Sequence, residues 1–214
     1  MSMHRAIVFI DGSNFYHNVK LEGIIPGQVD FLKLSELVCQ KFNAFRTKTI
    51  YYSSIPDISV GQEAYYGHMK FLSKLKALPN FEVKSRKLQK ISNRESVIEQ
   101  QKLVTSLNLC EQCKIKFDDH LTTFVKRLSF REKGIDVSIA VDMLEKAIKN
   151  ECDYCILISG DADFIPVMNL IKENGKMAYS ASVKSGYSSE MRRTQKFIYL
   201  KYDMLLSCLR TDNS

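Results

Sequence analysis

Ser159-Gly160-Asp161-Ala162-Asp163-Phe164 places two carboxylates one residue apart, directly after the apolar run Ile156-Leu157-Ile158. Asp11-Gly12-Ser13-Asn14 repeats the arrangement after Ala6-Ile7-Val8-Phe9-Ile10, and Asp136 stands at the front of a helical segment. Carboxylates gathered in one place raise one another's pKa, and a hard cation removes that cost. Mg²⁺ and Mn²⁺ prefer oxygen ligands, and Mg²⁺ keeps several of its waters. A pair of such ions ~3.5–4 Å apart can hold both the attacking and the leaving oxygen of a phosphodiester. Asn14 adds an amide that can donate to a phosphate while accepting through its carbonyl.

These side chains converge only if the elements beneath them are arranged correctly. Short apolar or β-branched runs predict strands over roughly 5–10, 47–53, 81–87, 154–159 and 176–181, with a weaker one at Phe197-Ile198-Tyr199-Leu200. Helical spacing predicts helices over 30–44 from an Asp30 cap, 62–77 and 164–173, the last with Pro166 in its first turn. A further helix over 137–149 is expected to start from an Asp136 cap and to bury Val137, Val141, Leu144 and Ile148. Alternating strands and helices imply an α/β fold with a mainly parallel central sheet flanked by helices. Such sheets bind ligands beyond the carboxyl ends of their strands, and both acidic segments belong at that edge. Each residue also has a plainer use. Asp163 and Asp136 are good helix caps, Asp11-Gly12 is a good turn, and Asn14 could cap a helix through Phe15, Tyr16 and Val19. Asp142, about two turns after Asp136, faces either the site or solvent.

The three acidic segments resemble the motifs of NYN domains, the LabA-like or DUF88 group of PIN-like proteins. Val8-Phe9-Ile10-Asp11-Gly12-Ser13-Asn14 is similar to the first motif. Lys133-Gly134-Ile135-Asp136-Val137, running on to Ala140-Val141-Asp142-Met143, is similar to the second. Leu157 to Pro166 is similar to the third. The resemblance spans most of 5–200. It implies a PIN-like Rossmannoid three-layer domain and a metal-dependent nuclease acting on RNA, with endoribonuclease as the expected form. It also implies Asp11, Asp136, Asp161 and Asp163 as ligands of Mg²⁺ or Mn²⁺, with Asn14 and Ser159 positioning the site. Relatives often carry an acidic residue near the last helix-to-strand turn, where this chain reads Met191-Arg192-Arg193-Thr194-Gln195-Lys196-Phe197.

Composition fits this expectation without proving it. Lysine and arginine outnumber the acids, 31 to 24, for a net charge of +7, which suits an anionic partner or a merely solvated basic surface. The basic residues fall into three clusters: Lys84, Arg86, Lys87 and Lys90; Lys126, Arg127, Arg131 and Lys133; and Lys184, Arg192, Arg193 and Lys196. The last two flank the acidic segments and could track a phosphate backbone. Lys133 or Lys184 could stabilise charge on the scissile phosphate. Tyr179 and Tyr187 could stack bases, and His17 could assist a proton transfer.

The 214 residues fit a single domain with an insertion at 88–133, where the strand–helix alternation breaks. That stretch holds Cys110-Glu111-Gln112-Cys113, half of a Zn²⁺ site. His120, or Cys152 with Cys155, would have to complete it. Cys39 and Cys208 belong to core helices. No signal peptide or membrane span is visible, so the cytoplasm is the expected compartment, with reduced cysteines. A homodimer is left open. A non-catalytic RNA-binding or adaptor protein is the main rival reading. A glycosyltransferase using Asp161-Ala162-Asp163 leaves Asp11 and Asn14 unexplained, and an aspartyl phosphatase would want Asp-x-Asp where Asp11-Gly12-Ser13 stands. Walker-type, dinucleotide-type and Gly-x-Ser-x-Gly motifs are missing.

Overall fold

Six strands build one sheet in the order β3-β2-β1-β6-β7-β8: β1 His4–Asp11, β2 Ala44–Ile55, β3 Phe81–Lys87, β6 Tyr154–Ile158, β7 Met177–Ser182 and β8 Phe197–Tyr199. The computed structural model describes residues 3–90, 102, 105–116 and 130–210. The ladders of β1 with β2 and β6, and of β7 with β6 and β8, are parallel. Crossovers run through α1 Gly12–Leu21, α2 Phe31–Lys41, α3 Gln62–Lys76, α4 Ile135–Ile148, α5 Ile165–Glu173 and α6 Ser189–Thr194, and α7 Tyr202–Ser207 ends the order. This is the α/β layering that the strand–helix alternation predicts.

Ala6 to Ile10 of β1 are almost wholly buried, because the strand is central and covered on both sides. One face of the sheet, with Ile7, Phe9, Ile50, Tyr52 and Leu157, packs on Ile135, Ile139 and Met143 of α4 and on Met168 and Ile171 of α5. On the other face the Phe31, Tyr51 and Phe71 rings meet edge to face, the favoured geometry for aromatic pairs. Asp30 caps α2 by accepting from the Leu32 and Lys33 N–H groups, each at 3.0 Å.

The α4 helix departs from expectation twice. Its cap is Gly134, in a left-handed conformation at φ 78°, and Asp136 sits inside the first turn. Its buried stripe is Ile135, Ile139, Met143 and Ala147, whereas Val137, Val141 and Ile148 are exposed. The helix carries two apolar stripes, and the sequence pattern selects the wrong one.

The described residues fall into two compact units. The first comprises those of 1–53, 70–85 and 134–214, and the second those of 54–69 and 86–133. In the second unit, β4 Gln89–Lys90 pairs antiparallel with β5 Phe130–Arg131, and residues 111–116 form a short helix. No helix among the described residues is long and apolar enough to cross a membrane.

Candidate active site at the sheet edge

From β1 the chain departs toward β2, and from β6 it departs the opposite way, toward β7. The carboxyl ends of β1 and β6 are therefore the topological switch point, where open α/β sheets leave a crevice. Ile10 pairs with Ile158 across that seam, so Asp11 and Ser159 are the first residues beyond it on each side.

Asp11 ends the apolar run and turns back to cap α1, its Oδ1 accepting from the Asn14 N–H at 3.0 Å. Asp11 is thus the cap, and Asn14 lies in the first turn. The Ser159 hydroxyl donates to Asp11 Oδ2 at 3.4 Å and accepts from the Asp161 N–H at 3.3 Å. One buried hydroxyl therefore bridges the two acidic segments. Asp161 caps the 3-10 turn Ala162–Phe164 by accepting from the Asp163 N–H at 3.0 Å, and Asp163 is exposed. Helix α5 begins after this turn with no side-chain cap.

Close approach dictates both glycines. A Cβ on Gly12 would lie 2.4 Å from the Tyr52 carbonyl oxygen, and one on Gly160 would lie 2.1 Å from the Gly186 carbonyl oxygen. The loop after β7 is held against β6 there, since Ser188 N–H donates to Gly160 O at 3.0 Å and the Ser180 hydroxyl to Ser159 O at 2.6 Å. Helix α1 joins the same loop through Glu22, which accepts from Ser185 at 2.8 Å. Asn18 donates to the Asn14 side-chain carbonyl at 3.0 Å. The buried Tyr51 phenol is pushed up by desolvation, and the Asp11 charge adds to the shift.

Asp136 lies on the exposed first turn of α4, a helix that packs on α5 and on the turn Ala162–Phe164. Asp142 faces neither site nor solvent. It is buried, accepting from the Tyr52 hydroxyl at 2.5 Å and from Lys84 Nζ at 2.7 Å. Six residues at ~100° each put it ~120° around the helix from Asp136. Burial and this hydrogen bond both raise the Tyr52 phenol pKa. Tyr52 pairs in register with Asp11, so this polar cluster stands one strand away from the acidic edge. Sequence reasoning missed it because Tyr52 reads as an ordinary core aromatic and Lys84 as one of a basic cluster.

The oxygen-only donor set fits Mg²⁺ or Mn²⁺ in chemical type. The side chains are not gathered to enclose an ion: among the described residues no three Asp, Glu, His or Cys groups are close enough to hold one. Asp11 and Asp161 each give one oxygen to a cap, and the other Asp11 oxygen accepts from the Ser159 hydroxyl.

Lys184, Arg192 and Arg193 are exposed and make no ion pair among the described residues. Lys133 is also exposed, and of Arg131 the backbone is described, within β5. Lys126, Arg127 and His120 lie outside the described residues. The two tyrosines suggested as stacking platforms are structural. Tyr179 is buried and stacks on Phe42 at 4.3 Å, and Tyr187 is buried and donates to Ile198 O at 3.0 Å. His17 is exposed, with its ring edge-on to Tyr16. Cys110 and Cys113 are exposed, and the other four cysteines are buried. Cys152 and Cys155 face each other at 3.6 Å in the core, where they behave as small apolar residues.

A Vibrio parahaemolyticus protein of unknown function, VPA0982, has a similar crystal structure. It aligns over 96% of this chain and 99% of its own at 15% identity with a TM-score of 0.58, a likeness of fold alone. A comparison with curated proteins returns no match. The family model of the NYN domain matches residues 5–203. With all three acidic segments inside that span, the chain belongs to the NYN domain family, a PIN-like nuclease family.

Proposed function

We propose that the protein is a divalent-metal-dependent ribonuclease that hydrolyses RNA phosphodiester bonds at the Asp11–Asp161 edge. The observation behind this reading is the Ser159 hydroxyl, which ties the two carboxylate segments together at the switch point of the sheet. Asp11, Asp136, Asp161 and Asp163 are the residues that would hold Mg²⁺ or Mn²⁺. Bound there, the ion supplies Lewis-acid chemistry, activating water and neutralising phosphate charge. Ser159 fixes the facing of Asp11, and the Asn14 NH₂ orients a phosphate oxygen. Lys184, on the loop that seals Gly160, offsets charge on the RNA backbone, and Arg192 and Arg193 extend that basic surface.

The test is cleavage of single-stranded and structured RNA by the purified chain with Mg²⁺ or Mn²⁺. Asp11→Asn and Asp161→Asn should each lower the rate on the order of 10²-fold or more, the scale of losing an electrostatic catalytic group. Intact RNA under every condition sinks the reading. An Asp161→Asn plus Asp163→Asn variant as fast as wild type moves the site elsewhere. The second reading, a non-catalytic RNA-binding protein, draws on the ungathered carboxylates, and metal-independent binding without turnover would favour it.

A further inference from the structure

The six cysteines divide sharply, with four buried and only Cys110 and Cys113 exposed. Cysteine is among the residue types most often buried, so an exposed pair three residues apart is unusual on composition alone. Lys114 N–H donates to the Cys110 carbonyl at 2.9 Å, so a single helical turn spans Cys110 to Cys113. Side chains three residues apart on such a turn are neighbours, and Cys110 stands at its N-terminal end, where a thiolate is favoured. Between the two cysteines, Glu111 has its charge offset by Lys114, at 2.9 Å.

A structural zinc site would need two further ligands. Among the described residues no group of three metal-binding side chains exists. Thiol–disulfide exchange needs only the two sulfurs present. It also needs access, which the pair has and which the buried Cys152–Cys155 pair, of the same spacing, lacks.

We propose that Cys110 and Cys113 form a thiol–disulfide exchange site, reactive at Cys110, whose substrates are low-molecular-weight disulfides. The Cys110 thiolate attacks one sulfur of the disulfide R–S–S–R. That S–S bond breaks, the first RS⁻ leaves and takes a proton, and a mixed disulfide forms on Cys110. The Cys113 thiolate then attacks the Cys110 sulfur and expels the second thiol. Two electrons pass from the dithiol to R–S–S–R, giving two RSH and an intramolecular disulfide. The hydrogen bonds from Cys113 also hold the Cys110 thiol below its ordinary pKa, which raises the fraction of the attacking form. The site is independent of the nuclease reading and stands or falls without it.

The reduced, full-length chain is incubated with oxidised glutathione, blocked with N-ethylmaleimide while folded, then digested and weighed. The peptide carrying Cys110 and Cys113 should lose reactivity toward the blocker and become two hydrogens lighter, while Cys152 and Cys155 form no such bond. Cys113→Ser should trap one glutathione on Cys110. Cys110→Ser should take up glutathione at Cys113 at least about tenfold more slowly, as expected for the less activated thiol. Three outcomes overturn the proposal: unchanged blocking of both thiols, equal uptake by the two variants, or a purified chain that retains stoichiometric zinc lost in Cys110→Ser.

Discussion

Asp142 shows how one residue type serves two ends within one helix. Asp136 and Asp142 share a motif, yet α4 turns the first outward and buries the second between Tyr52 and Lys84. A buried carboxylate that loses a donor retains its desolvation cost. Tyr52→Phe should therefore destabilise the protein by about 1–3 kcal/mol, read as a lower urea midpoint at unchanged slope. A change below about 0.5 kcal/mol would mean that the hydroxyl is dispensable to Asp142. The sequence made the placement of Asp11 and Asp161 at the ends of β1 and β6 legible, because short polar residues stand out against buried strands. It left the Asp142 partners hidden, since contacts separated by 90 and 58 residues leave no local pattern. Nor did it show that Asp11, rather than Asn14, caps α1. Both are preferred cap types, and only the point at which β1 ends decides between them.

At the level of elements, strands were easier to read than helix faces. Every strand of the six-stranded sheet begins and ends within a few residues of its expected limits, since an apolar run in a parallel sheet is buried on both faces. Helix α4 misled because Val137, Val141 and Ile148 are as apolar as the Ile135, Ile139 and Met143 stripe that packs on the sheet. Periodicity cannot choose between two apolar stripes; contact with the sheet does. The exit from β6 is tightly constrained. Gly160→Ala forces a Cβ onto the Gly186 backbone, where no side chain can swing away. We expect a loss of about 1–3 kcal/mol in stability, the range for overpacking, and a fall in nuclease rate beyond what the unfolded fraction explains. Full activity and stability in this variant would show that the loop after β7 moves freely.

For the molecule as a whole, the net charge of +7 acquires meaning only with location. Arg192 and Arg193 stand exposed on α6, with Lys196 just beyond it. If they contact a single strand, each phosphate neutralised contributes about 0.7 to the slope of log K against log salt. Arg192→Ala plus Arg193→Ala should then flatten the slope by about 1.4 for a single-stranded RNA, measured by titration across salt concentrations. An unchanged slope places the RNA path on another face.

The sheet order has a consequence for the birth of the protein. Strand β1 lies between β2 and β6, and Asp11 meets Ser159 across 148 residues of chain. During synthesis β1 and β2 can pair early, but the other flank of β1 stays an open edge until β6 leaves the ribosome. At ordinary elongation rates that wait is roughly 7–30 s. An unpaired hydrophobic edge invites pairing with other chains throughout that time. The seam at the switch point is therefore the pairing for which β1 waits longest, and the nascent chain is exposed to aggregation through that edge until β6 arrives.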